Sequence, residues 1–257
     1  MKNEILEKFK KGEKTIGTFT LLKSATAVEA LGYTDFDFVV IDTEHTSVGV
    51  ESAVEYISAA QNAGLTPMVR VNGVSRSPIL RLLDAGAQAL VVPCVNTVED
   101  VKEIVQYSKY VPLGSRGFCP TRDGGWGFAD HAASGIEDYM EYCNKNTLLI
   151  PQCETLGCLE NIEEIVNIDG VDGILIGPFD LSIAMNKPAK FDDPEVKGAI
   201  KRILSACKEA GKIAFIFTGS VDDANKYLDE GFDCVGVGLD TVVYINAYRD
   251  IISKLKL

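Results

Sequence analysis

A single-domain (β/α)8 barrel of the TIM type, spanning residues 1–257, is the fold this sequence predicts, and three observations predict it. Eight short apolar runs recur along the chain. Amphipathic stretches, with apolar residues three and four apart, separate most of them. An open doubly wound sheet would carry a glycine-rich phosphate fingerprint after its first strand, and the segment GTFTLLKSATA has none.

The first run, TIGTFTL, starts at Thr15, and FDFVVID follows, ending on Asp42. The helix-like VGVESAVEYISAAQNAG leads to TPMVRV, then SPILRLLDAGA to AQALVVPC, then TVEDVKEIVQYSKY. Beyond a long irregular segment come the strand TLLIPQC, the helix TLGCLENIEEIVNID and the strand DGILIG. DPEVKGAIKRILSACKEAG, KIAFIF, SVDDANKYLDEG and DCVGVG complete the series. Several helices open on Ser, Thr or Asp and close at Gly, as capping requires. Strands this rich in aliphatic residues, alternating with helices, are parallel strands buried on both faces. Eight such units close into a barrel.

The exception to short connections is the loop of about 111–135, VPLGSRGFCPTRDGGWGFADHAASG, which is rich in glycine and holds the only tryptophan, Trp126. A long irregular segment in a barrel reads as a lid or substrate wall, with a mobile surface insertion as the alternative.

With 46% hydrophobic residues the chain can bury a large core. Its formal net charge of −12 leaves no basic stripe for nucleic acid or an anionic membrane. The opening MKNEILEKFKKGEKTIG has no continuous apolar segment, so neither a signal peptide nor a membrane span is expected, and a cytoplasmic location is. Seven cysteines without a CxxC pair or a zinc-ligand spacing read as reduced thiols.

In a barrel the C-terminal ends of the strands converge on one mouth, and there the titratable residues gather. Asp42 ends the second strand with Glu44 and His45 just beyond; Arg70 lies near the end of the third; Gln152 and Glu154 end the fifth; Asp180 follows the sixth in GPFDLS. Charges in such a place need a counter-ion, a metal or water. Glu154 and Asp180, on neighbouring strands, suit a hard divalent ion; the alternative is that they cap helices or form ion pairs. Gln152 and Glu154 are two apart and share a strand face. Arg70 can hold a carboxylate or stabilise an enolate oxygen, or simply pair with Asp42 or Glu44. His45 beside carboxylates is a candidate general base, against the alternative of an ordinary polar residue, whereas His131 reads as surface. Asp84 falls in the last turn of a helix, where its charge opposes the macrodipole and calls for a cation, His45 being one candidate, or for solvent. No lysine ends a strand at the mouth, Lys212 lying at the opposite end of its strand, which argues against Schiff-base chemistry.

Taken in order, IDTEH, VRV, LLDAGAQALVVPCV, GSRG, PQCET and VDGILIGPFDLS, followed by AGKIAF and VGVGLDT, resemble the HpcH/HpaI aldolase family of the phosphoenolpyruvate/pyruvate barrel superfamily, over nearly the whole chain. The resemblance implies a metal-dependent, class II pyruvate aldolase, often hexameric, that cleaves 4-hydroxy-2-oxo acids to pyruvate and an aldehyde using Mg2+, Mn2+ or Co2+. It implies Glu154 and Asp180 as metal ligands and Gln152 with the backbone at Gly177, Pro178 and Phe179 as the pyruvyl site. By the same resemblance His45 is the base, supported by Asp42 or Asp84, and Arg70 stabilises the transition state, while the final helix packs on a neighbouring subunit. Phe179, where many relatives have a small residue, and the loop after GSRG depart from the pattern; the loop is expected to reshape the aldehyde pocket.

Three rival readings stand beside this one. A phosphate-handling or phosphoenolpyruvate-using barrel would use Gly219, Gly236 and Gly238, but TGSVDD and GVGLDT surround them with carboxylates. A thioester lyase would need a basic cluster for a coenzyme A carrier. A silent binding scaffold would leave the residues at the mouth unexplained.

Overall fold

The computed structural model describes residues 3–256. Eight strands close into a barrel in sequence order: β1 (Thr15–Thr20), β2 (Phe38–Asp42), β3 (Thr66–Arg70), β4 (Ala89–Val92), β5 (Leu148–Cys153), β6 (Gly173–Ile176), β7 (Ile213–Thr218) and β8 (Cys234–Leu239). Each pairs in parallel with the next, and β1 pairs with β8. The predicted (β/α)8 barrel is therefore the observed one.

Side chains alternate across a strand, so each strand feeds two cores. One set, including Phe19, Phe38, Val40, Met68, Val91, Ile150, Leu175 and Phe215, fills the barrel axis. The other, including Val39, Ile41, Val69, Leu90 and Ile174, meets the surrounding helices. On that outer layer lie α2 (Ala25–Leu31), α3 (Val50–Asn62), α4 (Arg76–Asp84), α5 (Val98–Ser108), α6 (Ile136–Asn146), α7 (Leu156–Glu160), α8 (Ile162–Val166), α9 (Pro178–Ala184), α10 (Pro194–Glu209) and α11 (Val221–Glu230). The stretch TLGCLENIEEIVNID, read as one helix, is two, α7 and α8, meeting at Asn161.

Two terminal helices frame the barrel. In α1 (Glu4–Lys10), Ile5 is fully buried in the axial core, and the Asn3 side chain donates to the carbonyls of Gln88 and Asn146. At the other end, Asp240 opens α12 (Asp240–Ser253) by accepting from Thr20 Oγ1 at 2.6 Å and from the backbone of Leu21 and Leu22. Beyond that anchor α12 buries none of its residues and exposes Val242, Val243, Tyr244, Ile245, Tyr248, Ile251 and Ile252.

None of the described residues of the 111–135 loop lines the cleft at the strand ends. The loop is tied to the outside of the barrel, at the end of α4: Arg116 pairs with Asp84 at 2.8 Å, Arg122 donates to the Ala85 carbonyl, and the Asp123 N–H to that of Asp84. His131, read as surface, stacks on Tyr142 with ring centroids 4.5 Å apart and contacts the Asp123 carbonyl. Phe118, Trp126 and Tyr139 line an apolar cleft of the loop's own.

Candidate active site

The alternation that builds the axial core also delivers the polar groups. Along β2 the inward positions run Phe38, Val40, Asp42; along β3, Met68 then Arg70; along β5, Leu148, Ile150, Gln152, with Glu154 next. Each apolar series thus ends in a polar residue at the C-terminal mouth. Register sets the first pairing directly, since Asp42 lies opposite Arg70.

Asp42 is fully buried and accepts from Arg70 twice, Nε to Oδ1 at 2.9 Å and Nη2 to Oδ2 at 2.8 Å. Its Oδ1 also accepts from the backbone N–H of Glu44 at 3.0 Å and of His45 at 3.5 Å. Arg70 Nε lies 3.3 Å from Glu44 Oε2 as well, and its guanidinium sits 5.3 Å from the ring centroid of Phe19. Although burial disfavours the charged form, the Asp42 hydrogen bonds and neighbouring carboxylates hold the guanidinium above its ordinary range. Arg70 thus pairs with Asp42 and Glu44 and also lines the mouth.

The carboxylate beside the His45 imidazole is that of Glu44, with Oε2 3.7 Å from Nε2. Asp42 and Asp84, the supports expected of the ring, make their contacts elsewhere within this chain. Asp42 reaches only the backbone of His45, and its oxygens are committed to Arg70. Asp84 pairs with the buried Arg116, which lies over the Tyr110 ring at 4.6 Å. The cation that its place at a helix C-terminus called for is an arginine from the long loop. Burial holds the Glu44 carboxyl above the ordinary glutamate range, against the pull of Arg70.

Glu154 is 7% exposed. It accepts from the Cys94 N–H at 2.7 Å and from the amide of Gln152, so the two β5 residues meet as their spacing required. Gln152 Oε1 is buried without a hydrogen-bond partner among the described residues. Gly177 approaches both groups closely: a Cβ there would stand 2.9 Å from Gln152 Nε2 and 3.1 Å from Glu154 Oε2. Asp180, exposed in the first turn of α9, lines the mouth.

The mouth is a cleft of about 160 Å³ that brings together His45, Arg70, Gln152, Gly177, Pro178, Phe179 and Asp180. Phe19, Leu175, Ile176, Phe217 and Leu239 form its remaining apolar wall, and none of the described 111–135 residues contributes. Sequence reasoning missed Cys94. This residue follows β4, adopts a left-handed backbone (φ 60°), and has its sulfur 3.8 Å from Glu44. Ligand atoms of Glu44, Cys94 and Glu154 all lie within 4.8 Å of one another. The same rule of strand ends that singled out Asp42 and Glu154 applies to AQALVVPC and would have found it.

The model of the HpcH/HpaI aldolase/citrate lyase family matches residues 15–247. The chain is 31% identical to the 2-keto-3-deoxy-L-rhamnonate aldolase of Escherichia coli (strain K12) over 258 positions, covering all of this chain and 94% of that protein. A solved HpcH/HpaI aldolase/citrate lyase family protein from Burkholderia cenocepacia J2315 superposes with a TM-score of 0.90 at 28% identity, covering 98% of both chains. The HpcH/HpaI aldolase of Desulfitobacterium hafniense DCB-2 superposes with a TM-score of 0.87 at 25% identity, covering 97% of this chain and 96% of the other. With the fold, the strand-end residues and the match over nearly its whole length in agreement, the chain belongs to the HpcH/HpaI aldolase/citrate lyase family and is a carbon–carbon lyase.

Proposed function

We propose that the chain reversibly cleaves a 4-hydroxy-2-oxo acid to pyruvate and an aldehyde, with a divalent cation held by Glu154 and Asp180. The observation that carries this reading is the placement of Arg70, whose guanidinium, fixed by Asp42 and Glu44, faces the cleft it shares with Gln152, His45 and Asp180. By its name, the E. coli relative acts on a 2-keto-3-deoxy acid, and that is the substrate class we carry over to this chain.

The residues present fit a hard cation. Glu154 is a buried carboxylate, Gln152 Oε1 beside it lacks a partner, and Gly177 keeps the space next to both clear of a side chain. When bound, Mg2+, Mn2+ or Co2+ supplies Lewis acidity at the carboxylate and 2-oxo oxygens of the substrate. Gln152 and the backbone of Gly177, Pro178 and Phe179 orient the pyruvyl end. Arg70 meets the negative charge that develops on the 2-oxo oxygen as the C3–C4 bond breaks, a contribution of about 3 kcal/mol for a preorganised donor. His45, oriented by Glu44, takes the proton of the 4-hydroxyl group during cleavage and returns it during condensation, typically worth about 10²–10⁴-fold.

The unpartnered apolar face of α12 supports a homo-oligomer, a hexamer by the family resemblance, in which this helix packs on a neighbouring subunit. All seven cysteines are free, which supports a cytoplasmic location, and among the described residues no helix is long and apolar enough to cross a membrane.

Incubation with pyruvate in heavy water, followed by NMR of the methyl protons, tests the reading. Proton loss that requires Mg2+, Mn2+ or Co2+ and stops with chelator is expected. Absence of exchange with all three would leave a silent scaffold as the better account.

A further inference from the structure

Apart from His45, Arg70, Gln152 and Asp180, the side chains lining the cleft are rings and aliphatics, Phe19, Phe179, Phe217 and Leu239 among them. Phe179 is the unusual member, 46% exposed at the start of α9. It is nonetheless held in place. The buried Ser182 donates its hydroxyl to the Phe179 carbonyl at 2.7 Å and accepts from the Ala189 N–H at 3.0 Å, clamping the segment between α9 and α10 onto α9. That clamped segment carries Phe191, whose ring meets Phe179 edge-on, with centroids 4.8 Å apart and planes at 83°. A large aromatic face is thereby presented at the cleft by two layers of support.

We propose that Phe179, positioned by Phe191, is the wall of the aldehyde subsite and selects aldehydes with an alkyl or aryl substituent over polyhydroxylated ones. This inference rests on the aldolase reading above. A hydroxyl pressed against a phenyl face gives up water without gaining a partner, whereas an alkyl group gains contact on the same face. Discrimination of this kind in an apolar pocket is worth about 10- to 200-fold.

The test compares kcat/KM for condensation of pyruvate with isobutyraldehyde and with glyceraldehyde. The native enzyme is expected to favour isobutyraldehyde by about tenfold or more. Phe179→Ala should remove most of that ratio, and Phe191→Ala should lower it in the same direction, with Phe191→Tyr restoring it. Because the ratio is internal to each preparation, a reduced folded fraction does not move it. A ratio unchanged in both alanine variants, or a native preference for glyceraldehyde, would overturn the proposal while metal-dependent pyruvate exchange by the native enzyme left the aldolase reading standing. Loss of that exchange would remove both.

Discussion

Arg70 grips Asp42 across adjacent strands with two parallel hydrogen bonds, at 2.9 and 2.8 Å, and the carboxylate it grips has no exposure to solvent. The geometry makes the arginine both a structural counter-ion and a presented charge. Removing it leaves a buried carboxylate without its partner, which is the costly way to break such a pair. Arg70→Ala is therefore expected to lower the unfolding free energy by about 3 kcal/mol as well as to abolish turnover, whereas Arg70→Lys keeps the charge but loses the fork. Urea denaturation alongside turnover separates the two; an Arg70→Ala protein of native stability would show that Asp42 is not the group being compensated.

Cation binding and acid–base work should separate by residue. In calorimetric titration with Mn2+, Glu154→Ala and Asp180→Ala are expected to lose binding, while His45→Ala and Arg70→Ala retain it and lose turnover. Gly177→Ala provides a finer probe, because its methyl group would press on the Gln152 amide and the Glu154 carboxylate at 2.9 and 3.1 Å. Its Mn2+ affinity should fall about tenfold, as for loss of a supporting contact around a metal. Equal losses of binding in the His45, Arg70 and Glu154 variants would refute this division of labour.

Alkaline pH should unfold the protein through its tyrosines. Burial pushes the hydroxyls of Tyr110 and Tyr227 up to about 12, and burial together with the Asp123 carboxylate holds that of Tyr139 higher still. Because the folded state retains these protons more tightly than the unfolded chain, stability is intact below about pH 10 and declines as pH rises toward 12. Tyrosinate absorbance at 295 nm should therefore show a late phase that coincides with loss of circular dichroism. Tyr139→Phe should remove one of the tyrosines contributing to that phase; its persistence at full amplitude, with no change in stability between pH 10 and 12, would contradict the assignment.

The exposed apolar surface of α12 makes a concentration-dependent prediction. Tyr248→Asp with Ile252→Asp, both on the uncovered part of the helix, should shift the protein to smaller species in light scattering behind size exclusion. If the native protein is monomeric at micromolar concentration, or the double variant keeps the native mass, the helix is not a subunit contact.

Much of this arrangement was legible because strand alternation is a strict rule. Once Phe38 and Val40 face inward so must Asp42, and once Leu148 and Ile150 do, Gln152 follows. The partner of Asp84 was illegible for the opposite reason. Arg116 lies 32 residues away in an irregular segment with no period to place it. The place of Glu44 beside the imidazole depends on how the chain turns after β2, where Asp42 accepts from the backbone N–H groups of Glu44 and His45, and no spacing in the sequence encodes that turn. The place of Cys94 was hidden because it stands just past its strand, in a left-handed backbone conformation that no spacing in the sequence announces.

The amino-terminal helix has a consequence for the opposite end of the molecule. With Ile5 lodged in the axial core and Asn3 fastened to two carbonyls, α1 works as a bung in the base of the barrel, and the axis is apolar below and ionic above. Such one-ended polarity lengthens the reach of every charge at the rim, because field lines that cannot spread into water beneath are turned toward whatever enters from the top.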